Sequence, residues 1–352
     1  MKNLNRFAQY KKTFETLRDT TLKEDNSFRA QAVGKKIKIS AGFNKGSYAL
    51  SIISADHKIN LKNTELIKVE RVNYNKDRVA TIFLLQDDQL LSIFISFAID
   101  LEDLLNKDNN ISINEIYNRY LFWQRMFKVE KKEMSEMLIK GLVNELNILD
   151  ELMIPKYGVD EAIRGWMGLE KNHKDFTYSD STWYEAKAIN IGKLTVKISS
   201  LEQLLSIHTG YLLVSELEKT SPEDSNGINI FEKFNVIKEK INDENTYIDF
   251  LGKINILGFP PTVITDPNHE INNYRYVIHK TSSYLVDKTF PVLKQDELPI
   301  AIGAVSYELI LTEIEDHLVN SDWREKKWYL MKLAEYIELF TNDVQADADS
   351  FQ

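Results

Sequence analysis

Leu4, Phe7, Tyr10, Phe14 and Leu17 recur at spacings of three and four, which predicts an amphipathic helix over residues 3–25. From residue 34 to about 99 the period shortens to that of strands. The stretch 35-KKIKISAGFNKGSYALSI-52 predicts a hairpin around Asn44-Lys45-Gly46, and 66-LIKVERVNYN-75 and 78-RVATIFLL-85 continue the series. The most apolar window, 80-ATIFLLQDDQLLSIFISFAI-99, is broken by Gln86, Asp87, Asp88 and Gln89. It predicts two strands and a turn rather than a membrane-spanning helix.

Helical spacing returns at 113–127 and in a longer run, 130–153, which carries Glu145 and is expected to stop at Pro155 with Gly158 closing the turn. The stretch 175-DFTYSDSTWYEAKAI-189 then predicts two strands about a turn of Ser179, Asp180, Ser181 and Thr182. A third strand at 194–198, a short helix begun by Ser199 or Ser200, and a strand at 211–217 follow. A helix at 229–241 and strands at 273–280, 283–287, 290–293 and 299–309 precede an amphipathic helix at 322–340 and an acidic tail. A helix followed by β-β-β-α-β predicts an α/β (α+β) mixed sheet flanked by helices. The expected division is a β-rich N-terminal domain over 1–105, a core over 106–265, and C-terminal strands with a helix over 266–352.

Composition narrows the chemistry. The chain has no cysteine, which excludes disulfides, thiolate catalysis and Cys-type zinc sites, and its six histidines show no zinc-ligand spacing. Net charge is −9, yet residues 1–47 hold eleven Lys and Arg against four Asp and Glu, so a basic arm of +7 precedes a body of −16. Lys35, Lys36 and Lys38 alternate in part with Ile37 and Ile39, a pattern able to track a phosphate backbone. MKNLNRFAQYKK lacks an apolar signal region, so a cytoplasmic protein off the membrane is expected. No G-x-x-x-x-G-K-[ST] run suggests nucleotide hydrolysis.

The strongest candidate chemistry lies at 175–187. Residues two apart on a strand share a face, so Glu185 and Lys187 point the same way, and a hairpin folding about residue 180 sets Asp175 opposite Glu185. Two carboxylates suit a hard cation such as Mg²⁺, and an adjacent ammonium suits the charge that develops in phosphodiester hydrolysis. E-x-K alone is unspecific, since it recurs at Glu130-Lys132 and Glu325-Lys327; only the middle copy follows an Asp at about ten residues and a helix bearing a glutamate. On the residues alone, a hairpin with a charged solvent face and a metal-dependent phosphodiesterase site both remain open. His173 reads as a loop histidine near DNA at most, Trp166 as a packing residue able to stack on a base, and Tyr284 and Phe290 as core.

The arrangement resembles the PD-(D/E)XK nuclease superfamily: a helix with Glu, a hairpin with D-x(n)-E-x-K, a third strand and a helix. More narrowly, it is similar to a bacterial PD-(D/E)XK motif family linked to restriction-modification and phage defence. The matching pieces are 141-GLVNEL-146, 165-GWMG-168, 175-DF-176, 185-EAKA-188, 197-KISSLEQL-204, 284-YLVDKTFPVL-293 and 298-LPIAIGAVSYEL-309. The resemblance implies a restriction-endonuclease-like core and a Mg²⁺- or Mn²⁺-dependent DNA endonuclease. In it Asp175 and Glu185 are metal ligands, Lys187 orients water or stabilises charge, Glu145 assists the metal shell, and Gln203 stands in an accessory position. It departs at Ala186, where a larger apolar residue is expected, and at Val292, where Arg is expected. It also implies double-stranded DNA as substrate, and a homodimer or a complex with methyltransferase, ATPase or helicase components. The competing functions are a nicking or junction nuclease of repair and recombination, and a catalytically silent DNA-binding or assembly module.

Overall fold

A computed structural model describes residues 6–21, 26–55, 61, 63–126, 134–166, 174–299, 301–302 and 304–320. His173, the expected helix at 322–340 and both outer E-x-K copies lie outside these. The chain divides into two compact units, Met1–Met134 with Leu251–Asn273, and Ser135–Phe250 with Tyr274–Gln352. The architecture is α+β, with a mixed sheet among helices as the resemblance implied. Among the described residues no helix is long and apolar enough to cross a membrane.

The first unit begins with α1 (Arg6–Thr20), which buries Phe7, Tyr10 and Phe14. Strands β1 (Asn26–Val33), β2 (Lys38–Asn44), β3 (Ser47–Ser54), β4 (Ile67–Asn75) and β5 (Arg78–Leu85) form an antiparallel sheet of order β1-β2-β3-β5-β4. The hairpin at 44–47 forms as expected, since Lys45 (φ 51°) and Gly46 (φ 81°) supply the two positive φ values of a tight two-residue turn. The second half of the apolar window does not form a strand. Leu91–Lys107 is instead helix α2, which buries Phe94, Ile95, Phe97, Ala98, Leu101, Leu104 and Leu105. A continuous apolar run carries no period that separates a buried helix from a buried strand, and length favours the helix here. Strand β1 was not expected either, since its residues are largely exposed and so lack alternation.

Helix α3 (Ile113–Met126) closes a buried network in this unit. Asp100 accepts from Arg119 Nη1 at 3.1 Å and from Trp123 Nε1 at 2.7 Å. All three residues are almost wholly enclosed.

The second unit opens with α4 (Glu136–Ile148), a π turn at Leu149–Met153, α5 (Ile154–Tyr157) and α6 (Val159–Gly165). Contrary to expectation Pro155 does not stop the helix. The chain stays helical through the π turn into α5, carrying Pro155 with it, and breaks only at Gly158 (φ 79°). Asp150, inside the π turn, is held by Lys233 Nζ at 2.8 Å and by Lys240. Burial works against its charge, but these two ammonium groups outweigh it and keep the carboxyl below its ordinary value.

Strands β6 (Phe176–Thr177), β7 (Trp183–Asn190), β8 (Thr195–Ile198) and β9 (Gly210–Thr220) follow, then α7 (Ile230–Lys240) and α8 (Glu244–Ile256). The last strands are β10 (Arg275–Val286), β11 (Tyr307–Ile310) and β12 (Leu318–Asn320). The main sheet has the order β12-β10-β9-β7-β6 and is mixed, because β7 runs parallel to β9 while its other pairs are antiparallel. The third strand of the expected run, β8, leaves this sheet and pairs with β11. The two strands expected at 273–287 are one, bent by a register shift between Ile278 and Lys280, and among the described residues of the 299–309 segment only 307–309 lie in a strand, which ends at Ile310. Tyr284 and Phe290 join a core of Trp183, Ile189, Leu212, Val214 and Val286, with Val292 packed against it.

Candidate active site

The hairpin of β6 and β7 fixes the site. Phe176 pairs with Tyr184 and Thr177 with Trp183, so the strands fold about residue 180, and the register carried one step further sets Asp175 opposite Glu185. The turn is of the three-residue kind. Tyr178 N–H donates to Thr182 O, Ser181 N–H donates to Tyr178 O, and Ser181 takes the left-handed position at φ 64°. Asp180 steadies it by accepting from Thr182 N–H at 2.9 Å.

Asp175 Oδ2 accepts from the Ala186 N–H at 2.7 Å, which ties the carboxylate to the strand that carries its partner. Glu185 is 1% exposed. Its Oε1 accepts from Lys187 Nζ at 2.6 Å, while its Oε2 is buried without a hydrogen-bond partner. Glu145 Oε2 accepts from Trp166 Nε1 at 2.8 Å, so Trp166, wholly buried, is a support of the acidic group rather than a stacking surface. Gln203 turns inward on its own loop, where Oε1 accepts from Ser199 N–H at 2.7 Å.

Burial pushes Glu145 and Glu185 up to about 8, with the nearby charge of Asp175 adding to it in both cases. Burial also raises Asp175, against the pull of Lys187 and the Ala186 N–H. Three carboxyls therefore share a dry site with the ammonium groups of Lys187 and Lys174, and full ionisation leaves one negative charge uncompensated. That imbalance and the orphaned Glu185 Oε2 fit a divalent cation. Among the described residues no three His, Asp or Glu side chains gather closely enough to enclose one. The fit is thus to Mg²⁺ or Mn²⁺ on Asp175 and Glu185, since Mg²⁺ commonly takes one or two carboxylates and fills its shell with water and phosphate oxygens.

The shifts have a measurable consequence. A carboxyl whose folded pKa lies above its unfolded one favours folding fully below the unfolded value, and that advantage is lost as pH rises through the folded value. In EDTA the melting temperature is therefore expected to fall between pH 5 and 8, the window set by the ordinary Glu value of 4.5 and the raised value of about 8. Lys174, lowered from 10.5 to about 8, changes stability between those two values, from the upper edge of this window upward. Mn²⁺ is expected to restore stability at pH 8 and to do little at pH 5; thermal melts at both pH values check this, and a flat profile would contradict the assignment.

Lys174 was not singled out in the sequence. Its ammonium donates to the carbonyls of Glu202 (2.7 Å), Gln203 (2.6 Å) and Leu205 (3.1 Å) and lies 3.8 Å from the centre of the Trp183 ring. Burial is the main cause of its lowered pKa. The indole of Trp183 in turn donates to His208 O at 2.9 Å and covers Gly210, where a Cβ would sit 2.0 Å from the ring. Lys174→Met keeps the stem and removes the donors. A loss of about 2 kcal/mol is expected for hydrogen bonds to a charged group, with a shift in Trp183 fluorescence, both read by urea unfolding.

Comparison with known families gives one match. The family described as "Putative PD-(D/E)XK family member, (DUF4420)" covers residues 10–312 of the chain. The chain belongs to this family. Membership places a nuclease-like motif in the protein, and DUF4420 spans both compact units rather than the hairpin alone. No curated protein and no solved structure matches the chain.

Proposed function

We propose that this DUF4420 protein is a metal-dependent DNA endonuclease, the nuclease component of a bacterial restriction or anti-phage system acting in the cytoplasm. One observation carries the reading: a hairpin sets Asp175 opposite Glu185, with Lys187 on Glu185 Oε1 and Glu185 Oε2 buried and unpartnered. Mg²⁺, or Mn²⁺ in its place, would polarise the phosphoryl oxygen and lower the pKa of a bound water. Asp175 and Glu185 would hold it. Lys187 opposes the burial that favours the protonated form of Glu185 and sets a positive charge where negative charge develops on the phosphate. Glu145, oriented by the Trp166 indole and near enough for the charge of Asp175 to act on it, would assist the metal shell.

Cutting both strands needs two such sites. The proposal therefore includes a homodimer or a multi-subunit complex, with methyltransferase, ATPase or helicase subunits as the partners that the family resemblance implies.

The test is incubation of the purified full chain with unmethylated plasmid and phage DNA in Mg²⁺ or Mn²⁺. Double-strand breaks that stop in EDTA are expected. Nicks or junction cleavage alone would shift the role to repair or recombination. Bound but uncut DNA, unchanged when the products of neighbouring genes are added, would overturn the nuclease reading in favour of a silent binding module.

A further inference from the structure

The far half of the β4–β5 hairpin stands apart from the rest of its sheet. Every residue from Arg71 to Arg78 is exposed, whereas the β5 residues from Val79 to Leu85 are buried. Val72 is 50% and Tyr74 56% exposed, on a strand at the sheet edge. Local bonds shape the tip nonetheless. Asn75 Oδ1 accepts from Asp77 N–H at 3.0 Å, Asn75 pairs with Arg78, and a bulge between Asn73 and Asn75 sets Tyr74 out of the regular alternation.

Its charge is opposite to that of the whole. Arg71, Lys76 and Arg78 stand against Asp77 alone, in a chain of net charge −9. At the root of the hairpin Glu70 is neutralised by Lys45 (2.7 Å) and Lys68 (2.9 Å). Beside Val72 and Asp77, the exposed side chains toward the tip are cationic or amide, with one aromatic: Asn73, Tyr74, Asn75, Lys76 and Arg78. Paired strands lie about 4.8 Å apart, so a two-stranded ribbon with its side chains fits a major groove about 12 Å wide.

We propose that this tip is a docking ribbon for duplex DNA, with Lys76 and Arg78 on phosphates and Asn73, Tyr74 and Asn75 toward the base edges. The inference rests on the nuclease reading for its choice of DNA as partner, and it assigns recognition to the first unit. Phosphate contacts made by two cations would displace counterions and steepen the salt dependence of binding.

The experiment is fluorescence anisotropy of the full-length protein on a labelled duplex in EDTA, across a series of KCl concentrations, with Lys76→Ala/Arg78→Ala and Tyr74→Ala. Lys11→Ala/Lys12→Ala, on the exposed face of α1, removes the same charge elsewhere. The ribbon variant is expected to flatten the slope of log affinity against log salt by about two, one per lost phosphate contact, and to raise KM for cleavage while kcat holds. Tyr74→Ala is expected to weaken binding without changing that slope. An equal loss in the α1 variant means bulk charge and overturns the proposal. Wild-type binding and cutting by the ribbon variants overturns it alone, leaving the nuclease reading intact, whereas a wild-type chain that neither binds nor cuts DNA overturns both.

Discussion

Asp175→Ala is expected to lower metal-dependent cleavage by about a thousandfold or more, the scale on which loss of preorganised charge at a phosphoryl or acyl centre is felt. The change removes one of the two carboxylates proposed to hold the metal and also frees the Ala186 N–H that it holds at 2.7 Å. Lys187→Ala reaches a similar loss by another route. Glu185 is 1% exposed, and without the ammonium on Oε1 only the charge of Lys174 would oppose the burial that already raises it. Such a group takes up a proton rather than stay charged, and a protonated carboxyl is a poor metal ligand. The two variants differ in what stays bound. Duplex binding in EDTA should survive both, since neither residue belongs to the basic hairpin tip. Cleavage that persists in Asp175→Ala at more than about a tenth of the parent rate would remove the site from consideration.

The second large effect is on stability. Asp100→Ala is expected to cost about 3–5 kcal/mol, because it removes the buried carboxylate that accepts from both Arg119 Nη1 and Trp123 Nε1 in a core that excludes water. For a unit of this size that corresponds to a fall of roughly 10 °C in melting temperature. Asp100→Leu combined with Arg119→Met should cost far less, since no charge is then left behind. Urea unfolding of the single and double variants measures the difference, and equal losses would mean that volume rather than charge holds this part of the core.

The legible parts of the fold were those whose signal is local. Asn44-Lys45-Gly46 announces a tight turn, and the polar run at 179–182 announces another, so both hairpins could be placed from the chain alone. Because a hairpin fixes register, the opposition of Asp175 and Glu185 followed from counting residues about position 180. The helix at Leu91–Lys107 was not legible, since its first half, through Ile99, is almost wholly apolar and period cannot choose between strand and helix there. Nor was the fate of β8, for a strand's choice of neighbour depends on residues more than a hundred positions away. Lys174 marks the same limit at the site. A lysine beside an aspartate is unremarked in sequence, and its role arises only when residues 202–205 and Trp183 converge on its ammonium.

One residue's worth of helix separates Glu145 from a different protein. The π turn at Leu149–Met153 adds a residue to the helical path that leads from Glu145 in α4 into α5, ahead of the break at Gly158. Each residue turns an α-helix by about 100°. Deleting one position there would restore regular α-helical bonding while swinging everything before it by that angle, and Glu145 would point away from the indole that now orients it. The angular phase of the acidic group is thus held by a local irregularity, and this stretch should tolerate substitution far better than any change in its length.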